Sequence, residues 1–148
     1  MNGNERHPAL AGPGIMLLSA AIFGYFGFYV GPTSYNALGQ FILFFAMLQW
    51  TLKATTIGFV IAAVLTFAAP IAGNLIFSLV GVISALFFVA IAVLDVMDQQ
   101  NAAAAPPVLL ILFAAWNGYG SWSGLKMVLT LREAAARRET MEPPAGMR

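Results

Sequence analysis

Six uncharged polar side chains within the long apolar part of this chain are its candidates for chemistry: Gln40, Gln49, Asn74, Ser78, Asn117 and Ser121. Amides and hydroxyls can replace part of a small solute's hydration without trapping an ion, or they can tie one helix to another in lipid. Asn117, Gly120, Ser121 and Gly124 follow i, i+3, i+4, i+7 spacing, which puts them on one helix face. Gly120 and Gly124 form a small-xxx-small pair, and Trp116, Tyr119 and Ser123 share a neighbouring face. That face reads first as a packing seam and, alternatively, as the wall of a polar solute path. Gln40 and Gln49 are nine residues apart, which at about 100° per residue places them on opposite faces of an unbroken helix. One is expected to pair inside the bundle and the other to lie near the interface beside Trp50 and Lys53. Asn74 and Ser78 are one turn apart at the start of an apolar stretch, where Asn74 is expected to cap the helix.

The residue types that are missing narrow the chemistry further. The chain has no cysteine, so disulfides, thiolate catalysis and cysteine metal sites are excluded. Its one histidine, His7, lies in the polar N-terminal segment, so a bundle-bound haem or a conventional triad has no ligand or base. No Asp, Glu, His or Arg falls deep in an apolar stretch, where a proton-coupled pump usually needs one. Neither paired carboxylates nor a glycine-rich phosphate loop occurs. The expectation is a protein that is not an enzyme, with no catalytic residue, no metal site and no cofactor.

These side chains must be positioned by helices in a membrane. Of 148 residues, 60% are hydrophobic and only 9% charged, against about 25% charged in an average soluble domain. Between Arg6 and Asp95 the only charged residue is Lys53, so a water-facing surface cannot be built from that stretch. A net charge of +1 implies no nucleic-acid partner. The fold class expected is all-α, a polytopic transmembrane helix bundle.

A span needs about 20 apolar residues to cross ~30 Å of hydrocarbon, and Pro, Gly and polar clusters mark where the chain folds back. Residues 1–13 read as a polar N-terminal segment, without a signal-peptide cleavage pattern. Residues 14–131 read as the bundle, with spans at 14–30, 37–52, 57–69, 75–94 and 108–131. The breaks fall at Gly31-Pro32, at Lys53-Ala54-Thr55-Thr56, at Pro70 with Gly73-Asn74, and from Asp95 through Pro106-Pro107. The second and third segments are undersized. A single helix over 37–69 would be about 50 Å long at 1.5 Å per residue, so a hairpin near Lys53 is expected. Five spans are therefore expected; the alternative is four, with one segment re-entrant or at the interface. Residues 132–148 form a charged tail that continues the last span as a short helix, favoured by Glu133 and Arg137 at i, i+4, and is disordered at its end. Small residues in the first span, Ala20, Gly24, Gly27 and Gly31, suit close packing, and Tyr25 and Tyr29 suit the interface.

Lys126, Arg132, Arg137 and Arg138 cluster at the end of the last span, which the positive-inside rule places in the cytoplasm of a multi-pass cell-membrane protein. Five spans put the N-terminus outside; four put both termini inside.

Three short patterns resemble the acetate-uptake family of small membrane proteins and the related amide and urea channels. His7-Pro8-Ala9-Leu10-Ala11-Gly12 is similar to the family's Asn-Pro-Ala-Pro-Leu-Gly motif before its first span, lacking the asparagine and second proline. Lys53-Ala54-Thr55-Thr56-Ile57-Gly58 is similar to a stretch the family places between spans, and Phe113-Ala114-Ala115-Trp116-Asn117-Gly118 to its final span. The family has six spans, against five expected here. The resemblance implies an oligomeric channel or transporter with a narrow pore inside each protomer, near residues 7–12 and Asn117.

The functional expectation is a channel or transporter for a small neutral or weakly acidic solute. The alternative is a non-catalytic accessory or scaffold subunit of a larger membrane complex. Expected partners are membrane lipids and either further copies of the chain or the other subunits of a complex.

Overall fold

The computed structural model describes residues 11–30, 42–97 and 106–141. Every element among them is helical. Helix α1, Ala11–Gly24, runs on into a π-helical segment, Tyr25–Val30. Helix α2 is Ile42–Ala68, α3 is Pro70–Met97 and α4 is Pro107–Met141. Pro13, Pro70 and Pro107 all sit in first turns, where a missing N–H breaks no helical hydrogen bond.

The expected hairpin at Lys53 does not form, and this overturns the five-span reading. The described parts of the two undersized segments are one helix, α2, of 27 residues. No Gly or Pro interrupts it from Ile42 to Ile57. The polar cluster around Lys53 is satisfied within the helix and does not break it. Thr51, Thr55 and Thr56 each donate a hydroxyl to the carbonyl four residues back, at 2.8, 2.7 and 2.8 Å. Lys53 lays its ammonium over the rings of Phe28 and Trp50, 5.5 and 5.6 Å from their centroids. From Ile42 to Ala68 the helix is about 40 Å long at 1.5 Å per residue, which tilt accommodates; the expected start near Ala37 lies outside the described residues.

Among the described residues three helices are long and apolar enough to cross a membrane: Gly12–Val30, Ala46–Ala68 and Pro70–Leu94. Helix α4 is the longest, at 35 residues, but its middle is more polar, with Asn117, Ser121 and Ser123 among three glycines. Its last turns, from Arg132 to Arg138, are exposed, as expected for a charged extension. This architecture is compatible with an integral membrane protein.

Sequential helices are antiparallel neighbours. Met16 meets Thr66 and Gly24 meets Thr56 between α1 and α2. Thr55 meets Ser84 and Gly58 meets Val80 between α2 and α3. Ser78 meets Gly124 and Ser121 meets Gly81 between α3 and α4. Ala69 alone joins α2 to α3, and the turn is so tight that a Cβ on Gly73 would lie 2.7 Å from the Cα of Thr66. The start of α1 and the basic part of α4 therefore lie at the same end of the bundle.

The interior is built from phenylalanine. Phe23 packs on Phe59, Phe88 and Phe113 with ring centroids 6.0, 5.8 and 5.2 Å apart, and Phe59 packs on Phe77 at 4.7 Å. Ala62, Ala63, Ile91 and Leu110 fill the remaining space. The outer faces are as apolar as the core: Val64, Phe67, Leu79 and Leu86 are each at least 60% exposed, a pattern suited to lipid and costly in water.

Candidate functional site

The polar candidates divide by where the helices carry them. Gln40 lies outside the described residues. Gln49 is half-buried on α2, toward the end of the bundle away from Asn74. The other four, Asn74, Ser78, Asn117 and Ser121, are all buried and come together where α3 packs on α4.

Their arrangement is internally repeated. Asn74, Ser78 and Gly81 have the same spacing on α3 as Asn117, Ser121 and Gly124 on α4. In both triplets the asparagine donates its side-chain amide to the carbonyl four residues back, Asn74 to Pro70 and Asn117 to Phe113, each at 2.8 Å. In both, the serine hydroxyl donates to the asparagine's own carbonyl, at 2.9 Å in α3 and 2.7 Å in α4. Because the helices are antiparallel, each serine meets the other helix's glycine. A Cβ on Gly81 would run into Ser121 Oγ and lie 3.0 Å from the Asn117 carbonyl oxygen. One on Gly124 would meet Ser78 Oγ and the Asn74 carbonyl oxygen. The two triplets thus form a seam with local two-fold character, and Gly120 completes it against the Phe77 ring. Contrary to the sequence expectation, Asn74 is not a cap. Helix α3 starts a turn earlier, at Pro70, and Asn74 bonds backward as a donor where a cap accepts.

Sequence reasoning missed Ser19, Thr55, Thr66, Ser84 and Gly81. Thr55 Oγ1 and Ser84 Oγ lie 2.6 Å apart across α2 and α3. Thr55 gives its one proton to Thr51 O, so Ser84 is the donor to Thr55. Thr66 donates to Ala62 O at 2.8 Å beside Met16. Ser19 accepts the indole N–H of Trp116 at 3.0 Å, tying α1 to α4. The repeated Asn-x3-Ser-x2-Gly spacing could have revealed Gly81. Nothing local distinguishes Ser19 or Ser84 from any other serine in an apolar helix.

One cleft remains. It lies between α1 and α4, has a volume of about 300 Å³, and includes Ser19, Phe77, Trp116, Asn117 and Ser123 in its wall. Among the described residues the wall contains no acidic or basic side chain. Asn117 is 1% exposed, and its Oδ1 is the single buried side-chain polar atom among the described residues that lacks a hydrogen-bond partner. A second, more open groove of about 460 Å³ runs along α2 and α3 and is almost wholly apolar, with Met47, Trp50, Ile83 and Phe87 in its wall. Among the described residues no three His, Cys, Asp or Glu side chains come close enough to hold a metal ion.

Of the stretches that resembled the acetate-uptake family, residues 53–58 lie inside α2, with Gly58 against Val80, and residues 113–118 lie on α4. The stretch at 7–12 falls mostly outside the described residues. Comparison of the chain with protein-family models, with curated proteins and with solved structures gives no match.

Proposed function

We propose that this protein is a non-catalytic membrane subunit, a helical scaffold within a larger complex, and not a solute pathway. The observation that carries this reading is the ring cluster. Phe23, Phe59, Phe77, Phe88 and Phe113 fill the middle of the bundle where a pore within the protomer would run. The polar groups that a pore would line up are spent on helix seams instead. Asn74, Ser78 and Ser121 bond their own helices, and Thr55 pairs with Ser84. In this reading α4 crosses the membrane with the other three helices. The shared end of α1 and the basic part of α4 faces the cytoplasm of the cell membrane.

The competing reading is a channel for a small neutral or weakly acidic solute, in keeping with the acetate-uptake resemblance. It is favoured by the cleft at Asn117 and requires the phenylalanine rings to part. Liposome flux separates the two. The expected result is that purified protein in vesicles takes up acetate and urea no faster than empty vesicles. Native mass spectrometry from a mild detergent is then expected to show different polypeptides in fixed ratio with this chain. Solute uptake that saturates and depends on Asn117 overturns the scaffold reading.

A further inference from the structure

We propose that the α1–α4 cleft binds an uncharged, chiefly apolar molecule from the lipid phase that carries a hydroxyl, such as a long-chain alcohol. The case begins with the unpaired oxygen. The Phe113 carbonyl 2.8 Å away requires the N–H side of the Asn117 amide, so the carbonyl side is left unpaired. A buried acceptor without a donor is destabilising, and such groups commonly mark a site completed by something else. What it lacks is a donor, which a hydroxyl supplies and a hydrocarbon, ether or ester does not.

The walls set the rest of the ligand's character. Among the described residues no charged side chain borders the cleft, so there a carboxylate or an ammonium would be stripped of water without a counter-charge. Phe59, Phe77 and Trp116 offer apolar and aromatic surface. The rim is lipid-facing: Ile15, Leu18 and Tyr119 are 50, 56 and 75% exposed. A volume near 300 Å³ is at the low end for ligand sites, which suits the hydroxyl end of one chain and not a whole bilayer lipid. Asn117 Oδ1 is buried, so an occupant must shift part of the wall to reach it. Met16 and Met127, flexible thioethers in that wall, make such a shift inexpensive.

The test uses the full-length protein in nanodiscs and a long-chain alcohol bearing a photoreactive diazirine. Cross-linked peptides are mapped by mass spectrometry. The expected result is labelling concentrated on α1 and α4 around Met16 and Ser123. Excess unlabelled alcohol should displace it at least fivefold better than the matching methyl ether. Ser123→Phe, at an exposed position off the seam, should fill the cleft and remove the labelling. Asn117→Ala should erase the preference for alcohol over ether. Equal competition by alcohol and ether, labelling spread over all lipid-facing helices, or labelling unchanged by Ser123→Phe overturns the proposal. None of these readouts depends on whether the protein conducts solutes or joins a complex.

Discussion

Ser78 and Ser121 occupy equivalent places on facing helices, each against a glycine with no room for a methyl group. In lipid no hydrophobic effect drives helices together, so this close approach and the dispersion contacts it allows hold α3 to α4. Gly81→Val or Gly124→Leu is expected to destabilise the fold by about 1–3 kcal/mol, the usual cost of overpacking, read by reversible unfolding in mixed micelles. Gly118→Ala is the control. Nothing lies within 4 Å of a Cβ there, and alanine removes glycine's helix penalty, so stability should hold or rise. Thr55 and Ser84 form the corresponding polar contact between α2 and α3. A double-mutant cycle with Thr55→Val and Ser84→Ala is expected to give a coupling near 0.6 kcal/mol, typical of such bonds in membranes. A coupling of zero would mean that the bond contributes nothing beyond the packing of its two residues.

Helix α2 shows how punctuation can mislead. Lys53 and three threonines resemble a loop in an apolar sequence, yet each threonine can bond to the carbonyl four residues back and the lysine can lie along aromatic rings. Spin labels at the exposed positions Trp50 and Ile61 should report a backbone separation of about 16 Å, eleven residues at 1.5 Å each. A hairpin at Lys53 would give a markedly shorter value. The break at Pro70 was legible because proline and the nearby glycine permit a turn there and nothing competes. The helical class, the charged extension of α4 and the face holding Asn117 and Ser121 were also legible, since composition and 3.6-residue periodicity carry them. The pairing of the Asn117 face with Gly81, and the tie from Ser19 to Trp116, were not. Both depend on which helices become neighbours, and in a uniformly apolar chain no amphipathic stripe says so.

At the scale of the molecule, antiparallel packing sets which segments share a side. The start of α1, the Ala69 turn and the basic stretch of α4 lie at one end; Met97 and the start of α4 lie at the other. The chain has no native cysteine, so single cysteines report cleanly. Gly14→Cys and Arg138→Cys are expected to react with a membrane-impermeant maleimide from the same side, and Met97→Cys from the opposite side. If Arg138→Cys and Met97→Cys react from one side, α4 does not cross.

The single residue between α2 and α3 also bears on how the protein is made. With only Ala69 between them, no length of chain is available to park one helix at the surface while the other enters. In the membrane-spanning reading proposed above, the pair must partition into the bilayer as one hairpin during biosynthesis. Until α3 has emerged from the ribosome, α2 lacks the partner that accepts Gly58 and supplies the proton for Thr55. Chaperones and quality-control proteases should therefore be most engaged with chains arrested between Ala68 and Ser84, and disengage once that second helix is complete.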